Sequence, residues 1–121
     1  MIAAENKRTV RLLLAICTRE LKTAFFLALS DESNIQIVAT AANTAELLTY
    51  NRSLQPNAIV LEWELPGSPM SEVYPVLTQA DTPPSIFIIG KPSSEHHVRD
   101  LAPDCDLYAD PEKLINALNL Q

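Results

Sequence analysis

Residues 55–69 have the sequence QPNAIVLEWELPGSP, which carries the clearest structural signals in this chain of 121 residues. The QPN at 55–57 is typical of a turn, and the uninterrupted apolar run AIVL at 58–61 is typical of a buried strand. The proline and glycine residues of WELPGSP at 63–69 then predict a loop. A short strand that is apolar throughout, instead of alternating, indicates a parallel sheet covered on both faces.

Similar signals alternate along the rest of the chain. Further strands are predicted at 11–16 (RLLLAI), 35–38 (IQIV), 86–89 (IFII) and, briefly, 106–108. Helices are predicted between the strands. The first is capped by Thr18 and has apolar positions at Leu21, Ala24, Phe25, Ala28 and Leu29, and the second begins with the capping-box pair Asn43 and Glu46 and ends near Leu54. A weak third helix over 70–79 is shortened or kinked by Pro75, a fourth covers 94–101, and a fifth has Asp110 as its cap and Pro111 as its first residue and ends near Leu120. Five strands alternating with five helices predict a single α/β domain with right-handed crossovers.

Composition and charge exclude several classes of protein. The net charge is −6 and the whole acidic excess lies after residue 50, so binding of nucleic acid by this domain is not expected. The apolar runs are too short to span a bilayer, and the charged N-terminus does not resemble a signal peptide. Cys17 and Cys105 are predicted at opposite ends of the sheet, which argues against a disulfide and favours a reduced, cytoplasmic protein. Cys17 is expected to be a small buried hydrophobe.

Ligands of open parallel sheets bind at the carboxyl ends of the strands, so the residues that end each predicted strand are the candidate site. The loop after the first strand, CTRE at 17–20, has no glycine, which argues against the phosphate-binding loop of a flavodoxin. The sequence also lacks the motifs of nucleotide-binding, serine-hydrolase and zinc-protease sites. We therefore expect neither an enzyme nor a bound cofactor or metal.

Almost end to end, the chain resembles the receiver domains of response regulators, above all the LuxR/NarL type that precedes a helix-turn-helix. The stretch 10–41 is similar to that family's first strand, helix and second strand, and 56–62 to its third strand running into the phosphorylated aspartate. Leu65-Pro66-Gly67 is similar to the family's Met-Pro-Gly turn. The resemblance implies a flavodoxin-like (βα)5 three-layer sandwich with sheet order 2-1-3-4-5, here following an N-terminal tail at 1–8.

The resemblance also implies where the phosphotransfer residues would lie, and this chain departs from that pattern. Ile16 and Cys17 stand in place of the acidic pair that holds Mg²⁺, Glu62 in place of the acceptor aspartate, and Gly90 in place of the hydroxyl residue. The stretch 109–111 (ADP) lacks the family's lysine. Because Mg²⁺ requires oxygen ligands and phosphoryl transfer depends on it, a vestigial phosphoacceptor pocket is expected. Its residues would be Ile16, Cys17, Glu62, Gly90 and Lys91.

Two interpretations of Glu62 stay open at this stage. Its carboxylate could imitate a phosphorylated aspartate permanently, or it could be a loop carboxylate that faces water. The side chain of Lys91 could pair with Glu62 in place of the missing lysine.

The sequence therefore predicts a phosphorylation-independent, receiver-like module of two-component-type signalling that binds another protein. The expected interaction surface lies on the fourth helix, fifth strand and fifth helix, with Asp106, Tyr108 and Asp110. Trp63 beside the site is either a further anchor for the partner or a simple lid. The acidic residues of the surface predict a basic face on the partner. Pairing of two copies stays open. The alternative is the N-terminal receiver domain of a DNA-binding transcriptional response regulator; a working phospho-receiver that uses Glu62 is a third hypothesis.

Overall fold

A five-stranded parallel sheet forms the middle layer of the fold. The computed structural model describes residues 9–79, 81–90, 95–102, 107–108 and 111–119. Along the chain these form β1 (Val10–Ala15), α1 (Arg19–Ser30), β2 (Ile35–Ala41), α2 (Thr44–Leu54), β3 (Ala58–Glu62), α3 (Met70–Thr78), β4 (Ser85–Ile89), α4 (Glu95–Leu101), β5 (Leu107–Tyr108) and α5 (Pro111–Asn119). The strands pair in the order β2-β1-β3-β4-β5, which confirms the flavodoxin-like architecture.

The alternation of side chains along each strand divides the core into two apolar clusters, one on each face of the sheet. On one face, alternate residues of β1, β3 and β4 pack with α2, α3 and α4; on the other, the intervening residues pack with α1 and α5. Full burial of one such aliphatic side chain contributes roughly 1.5–3 kcal/mol, so the two layers of helices are held mainly by these clusters. Central members are Leu13, Ile59, Leu61 and Ile88 on the first face, and Leu12, Leu14, Val60 and Phe87 on the second.

Helix α2 begins and ends as its sequence predicts. The side chain of Asn43 accepts a hydrogen bond from the N–H of Glu46 at 2.8 Å, which confirms the predicted cap. The helix ends at Leu54, and the residue that caps it, Gln55, has a left-handed φ of 47°. The guanidinium of Arg11 donates to the carbonyls of Leu54 and Gln55 at 2.7 and 3.0 Å. Arg11 thus supplies donors that the last helical carbonyls lack within the helix, and ties α2 to β1.

Two predicted elements differ from the structure, β2 in its extent and α1 in its capping bond. Strand β2 continues to Ala41, beyond the predicted end at 38, because it pairs with β1 as far as Ala15. Helix α3 contains Pro75 and ends at Thr78, so the predicted short helix is confirmed. Thr18 occupies the cap position of α1, but its side chain makes no capping bond. Residues 1–8, 106 and 110 lie outside the described part of the chain.

Among the described residues, no helix is long and apolar enough to cross a bilayer.

Candidate functional site

The ends of β1, β3 and β4 lie side by side at the carboxyl edge of the sheet. Ala15 pairs with Leu61 across β1 and β3, and Glu62 pairs with Ile89 across β3 and β4. The loop at 16–18 that leads into α1 is therefore next to the last residue of β3. This is the edge at which sheets of this kind place their ligands.

The carboxylate of Glu62 is turned into this edge and is bound by the β1–α1 loop. One oxygen, Oε1, accepts from the N–H of Cys17 at 2.9 Å and from the N–H of Thr18 at 3.0 Å. The other, Oε2, accepts from the hydroxyl of Thr18. Only 5% of the Glu62 surface is exposed. The interpretation of Glu62 as a loop carboxylate facing water is therefore wrong.

The donors to Glu62 lie at the N-terminus of α1, where backbone N–H groups lack partners within the helix. The helix dipole also favours a negative charge at this end. A carboxylate from β3 thus occupies the kind of position at which a bound anion would be stabilised. The hydroxyl of Thr18 donates to Glu62 instead of accepting from α1, which explains the missing capping bond.

These contacts set the charge state of Glu62. Burial alone would raise the pKa of its carboxyl, because burial disfavours the ionised form. The hydrogen bonds from the hydroxyl and N–H of Thr18 and from Cys17 stabilise the ionised form, and together they hold the pKa below its ordinary value. Glu62 is therefore a buried carboxylate that remains ionised at neutral pH.

The side chain of Cys17 is exposed, so the expectation that it is a small buried hydrophobe is wrong. Its Sγ donates to Oε1 of Glu62 at 3.4 Å. Partial desolvation, this hydrogen bond and the negative charge of Glu62 all raise the pKa of the thiol. At neutral pH, Cys17 is therefore a protonated thiol that donates a hydrogen bond to the carboxylate of Glu62.

Ile16 is fully buried and packs in the cluster between the sheet and helices α1 and α5. The two positions that the resemblance assigns to an acidic pair thus carry an apolar side chain and a thiol. Neither supplies the carboxylate oxygen that Mg²⁺ prefers. Within the described ranges, no group of three His, Cys, Asp or Glu side chains is placed to hold a metal ion.

Gly90 follows β4 directly and is half-buried. Lys91 lies outside the described residues, so its predicted pairing with Glu62 is not addressed by the structure, and the same holds for Cys105 and its distance from Cys17. Tyr108 is half-buried and its ring centroid is 6.1 Å from that of Phe87.

Trp63 does not have the exposure expected of a partner anchor. It is only 9% exposed and belongs to the core cluster on the α2–α4 side of the sheet. Its backbone N–H donates to the carbonyl of Ile89 at 2.9 Å, which continues the pairing of β3 and β4 into the loop. Asp106 and Asp110, the acidic members of the predicted surface, lie outside the described residues.

A second loop at this edge, 63–69, is held by a residue that the sequence did not single out. Thr44, the first residue of α2, is 2% exposed and its Oγ1 accepts from the N–H of Ser68 at 2.8 Å. Its own N–H donates to the carbonyl of Pro66 at 2.9 Å. Gly67 between them has φ +121°, and a Cβ there would lie 2.1 Å from Oγ1 of Thr44. Only glycine fits this close approach.

No protein-family model and no curated protein matches the chain. Several solved structures, however, match the chain along most of its length. The signal receiver domain of the response regulator NarL from Mycobacterium tuberculosis aligns with a TM-score of 0.77 and 16% identity, covering 92% of this chain and 94% of that one. A LuxR-family two-component response regulator from Aurantimonas sp. SI85-9A1 aligns with a TM-score of 0.76 and 21% identity, covering 93% of this chain and 84% of that one. The RcsB response regulator of Salmonella typhimurium aligns with a TM-score of 0.75 and 15% identity, covering 92% of this chain and 60% of that one. The chain thus has the fold of response-regulator receiver domains.

Proposed function

We propose that this chain is a receiver-like domain of two-component-type signal transduction that acts as a protein-interaction module and does not depend on phosphorylation. The likeness of its fold to receiver domains supports the general class. The state of the site at the carboxyl edge supports the loss of phosphotransfer.

The observation that carries the proposal is the engagement of Glu62. Both of its oxygens already accept hydrogen bonds from the β1–α1 loop, and the side chain is almost fully buried. An acceptor carboxylate needs an accessible oxygen in line with the phosphoryl donor, and Mg²⁺ to neutralise the developing charge. Ile16 and Cys17 offer no carboxylate for that ion.

On this proposal Glu62 acts as an internal anion. Its ionised carboxylate holds the β1–α1 loop against β3 without any added phosphoryl group. Regulation would then come from a binding partner, from abundance or from a neighbouring domain. A basic partner face would complement the acidic side chains that the described parts of α4 and α5 expose, Asp100 and Glu112.

The proposal is tested by NMR spectra of the amide groups during titration with Mg²⁺ and then with beryllofluoride, a phosphoryl mimic. We expect no saturable shifts at Glu62, Gly90 or Tyr108. A receiver domain that does accept phosphate, titrated in parallel, shows that the reagent is active. Saturable shifts around Glu62 would mean that this chain is a phospho-receiver with unusual ligands.

The matched variant is Glu62→Asp, which removes one methylene and places the family's acceptor residue at the end of β3. We expect it to remain unresponsive to beryllofluoride, because positions 16 and 17 still provide no carboxylate. A response of this variant alone would show that the length of Glu62, and not the lost acidic pair, blocks phosphotransfer.

A further inference from the structure

An open groove of about 570 Å³ lies between α1 and α5, at the end of α1 opposite to Glu62. The apolar side chains that line it, Ala28, Pro111 and Ile115, are half-buried, and Asn116 lines it as well. Three carboxylates line the same groove, from Asp31 and Glu32 just after α1 and from Glu112 on α5.

Helix α1 exposes a further apolar side chain, Leu27, which is not itself among the residues that line the groove. Leu27 is 64% exposed, more than any other large hydrophobic side chain in the described part of the chain. It lies four residues before Asp31, so the two share one face of the helix and its C-terminal boundary. An exposed leucine on the same helix face as a groove residue is apolar surface that a partner could remove from water.

Two of the carboxylates that line the groove, those of Asp31 and Glu32, are placed unfavourably for the dipole of α1. The C-terminal end of a helix carries partial negative charge, which favours basic residues nearby. The last turn of α1 has no basic residue, and Asp31 is its C-terminal cap, with Glu32 following. Glu112 lies in the first turn of α5, where the helix dipole favours its negative charge. A positively charged group near Asp31 and Glu32 would relieve the conflict of these two carboxylates with the dipole of α1.

From these observations we infer that the α1–α5 groove is a docking surface for an amphipathic, positively charged helix of a protein partner. The inference rests on the proposed function in that it takes the chain to be an interaction module. Leucine-like side chains of the partner helix would cover Ala28, Ile115 and Leu27, and its lysine or arginine side chains would reach the carboxylates. A second copy of this chain is disfavoured as occupant, because it would bring the same acidic groove.

The surface is tested with a synthetic helical peptide of leucine and lysine, about four turns long, with the leucines on one face. We expect saturable amide shifts that are centred on residues 27–32 and 111–116. A second peptide of the same composition, with leucine and lysine alternating so that it cannot form an amphipathic helix, should bind at least about tenfold more weakly. Binding should also weaken as salt is added.

The decisive variant is the pair Asp31→Lys and Glu32→Lys. It should weaken peptide binding by about tenfold or more, and it should raise the midpoint of thermal unfolding, because basic groups suit the end of α1. The matched control is Glu64→Lys with Asp81→Lys, which changes the net charge equally at two exposed positions away from the groove. The control should leave binding within about twofold of the unchanged chain, with no comparable gain in stability.

Leu27→Ala tests the apolar part, with Phe26→Ala as its control. Phe26 is also exposed, at 41%, but it lies on a different face of α1. Shifts centred elsewhere, equal binding of both peptides, or equal effects of the two charge-reversal pairs would overturn the inference. Concentration-dependent dimerisation that Leu27→Ala abolishes would also overturn it, because the occupant would then be a second copy. None of these outcomes affects the beryllofluoride titration, which measures the other end of α1.

Discussion

The two loops at the carboxyl edge of the sheet are held in different ways. The β1–α1 loop is held by charge, since Glu62 accepts hydrogen bonds from Cys17 and Thr18. The β3–α3 loop is held by backbone geometry, since Gly67 allows the chain to approach Thr44 closely. The first contact involves positions where the chain departs from the receiver pattern, and the second involves the turn that resembles it.

This difference shows that packing geometry and site chemistry are separable in this fold. The close approach at Gly67 positions α2 against the loop after β3 whatever the chemistry of the neighbouring site. The contact at Glu62 places an ionised carboxylate against the N–H groups that precede α1, so it is an internal ion–dipole contact. The fold of receiver domains is therefore compatible with an apolar side chain and a thiol at positions 16 and 17.

The largest effect is expected from Gly67→Ala, which attacks the geometric contact. A side chain at φ +121° is strained, and its Cβ would meet Oγ1 of Thr44. We expect a loss of about 3 kcal/mol in the free energy of unfolding, measured by urea denaturation. The control is Ser68→Ala, an exposed neighbour whose N–H still donates to Thr44, with an expected change within about 0.5 kcal/mol. Equal stabilities of the two variants would show that the loop moves without cost.

A smaller effect is expected from Glu62→Ala, which attacks the charged contact. It leaves the N–H groups of Cys17 and Thr18 and the hydroxyl of Thr18 without their carboxylate. We expect a loss of about 2 kcal/mol in the free energy of unfolding. Acetate should restore part of this stability in Glu62→Ala and none in Glu62→Gln, because only the first variant leaves room for a carboxylate.

Sodium chloride at the same ionic strength is the control for acetate. Amide shifts of Cys17 and Thr18 during the acetate titration would place the added anion at the α1 N-terminus. If acetate stabilises the unchanged chain and Glu62→Ala equally, the carboxylate at position 62 does not supply the anion that this loop needs.

The fold could be predicted from the sequence because its signals are local and repeated. Apolar runs such as 58–61, the Asn43 cap and the Pro-Gly turn each specify an element, and their alternation specifies the sheet. For the site, the sequence predicts its position at the carboxyl edge of the sheet but not the contacts of its side chains. That Glu62 turns inward depends on its distance from the donors of the β1–α1 loop, which lie 44 and 45 residues away in sequence. No periodicity encodes such a distance.

The same limit explains the errors at Cys17 and Trp63. A cysteine next to a buried strand is usually buried, but Cys17 lies just past β1, where the chain turns toward α1 and exposes it. Trp63 follows β3 directly, and its backbone bond to Ile89 keeps it in the core. The exposure of Cys17 is decided by the path of the chain from β1 to α1 and that of Trp63 by a contact between strands, and composition shows neither.

The smallest effect is expected on the reactivity of Cys17, the residue of the β1–α1 loop whose thiol contacts Glu62. Desolvation and the hydrogen bond and charge of Glu62 raise the pKa of the thiol, so the thiolate fraction at pH 8 is lower than for an ordinary cysteine. Glu62→Gln removes the charge and should lower that pKa. The rate of alkylation by iodoacetamide should therefore rise a few-fold in this variant, and its pH profile should shift to lower pH. The measurement uses a Cys105→Ser background, because these are the two cysteines of the chain. An unchanged rate would show that Glu62 does not act on the thiol, and that its negative charge is balanced by the N–H groups of the loop alone.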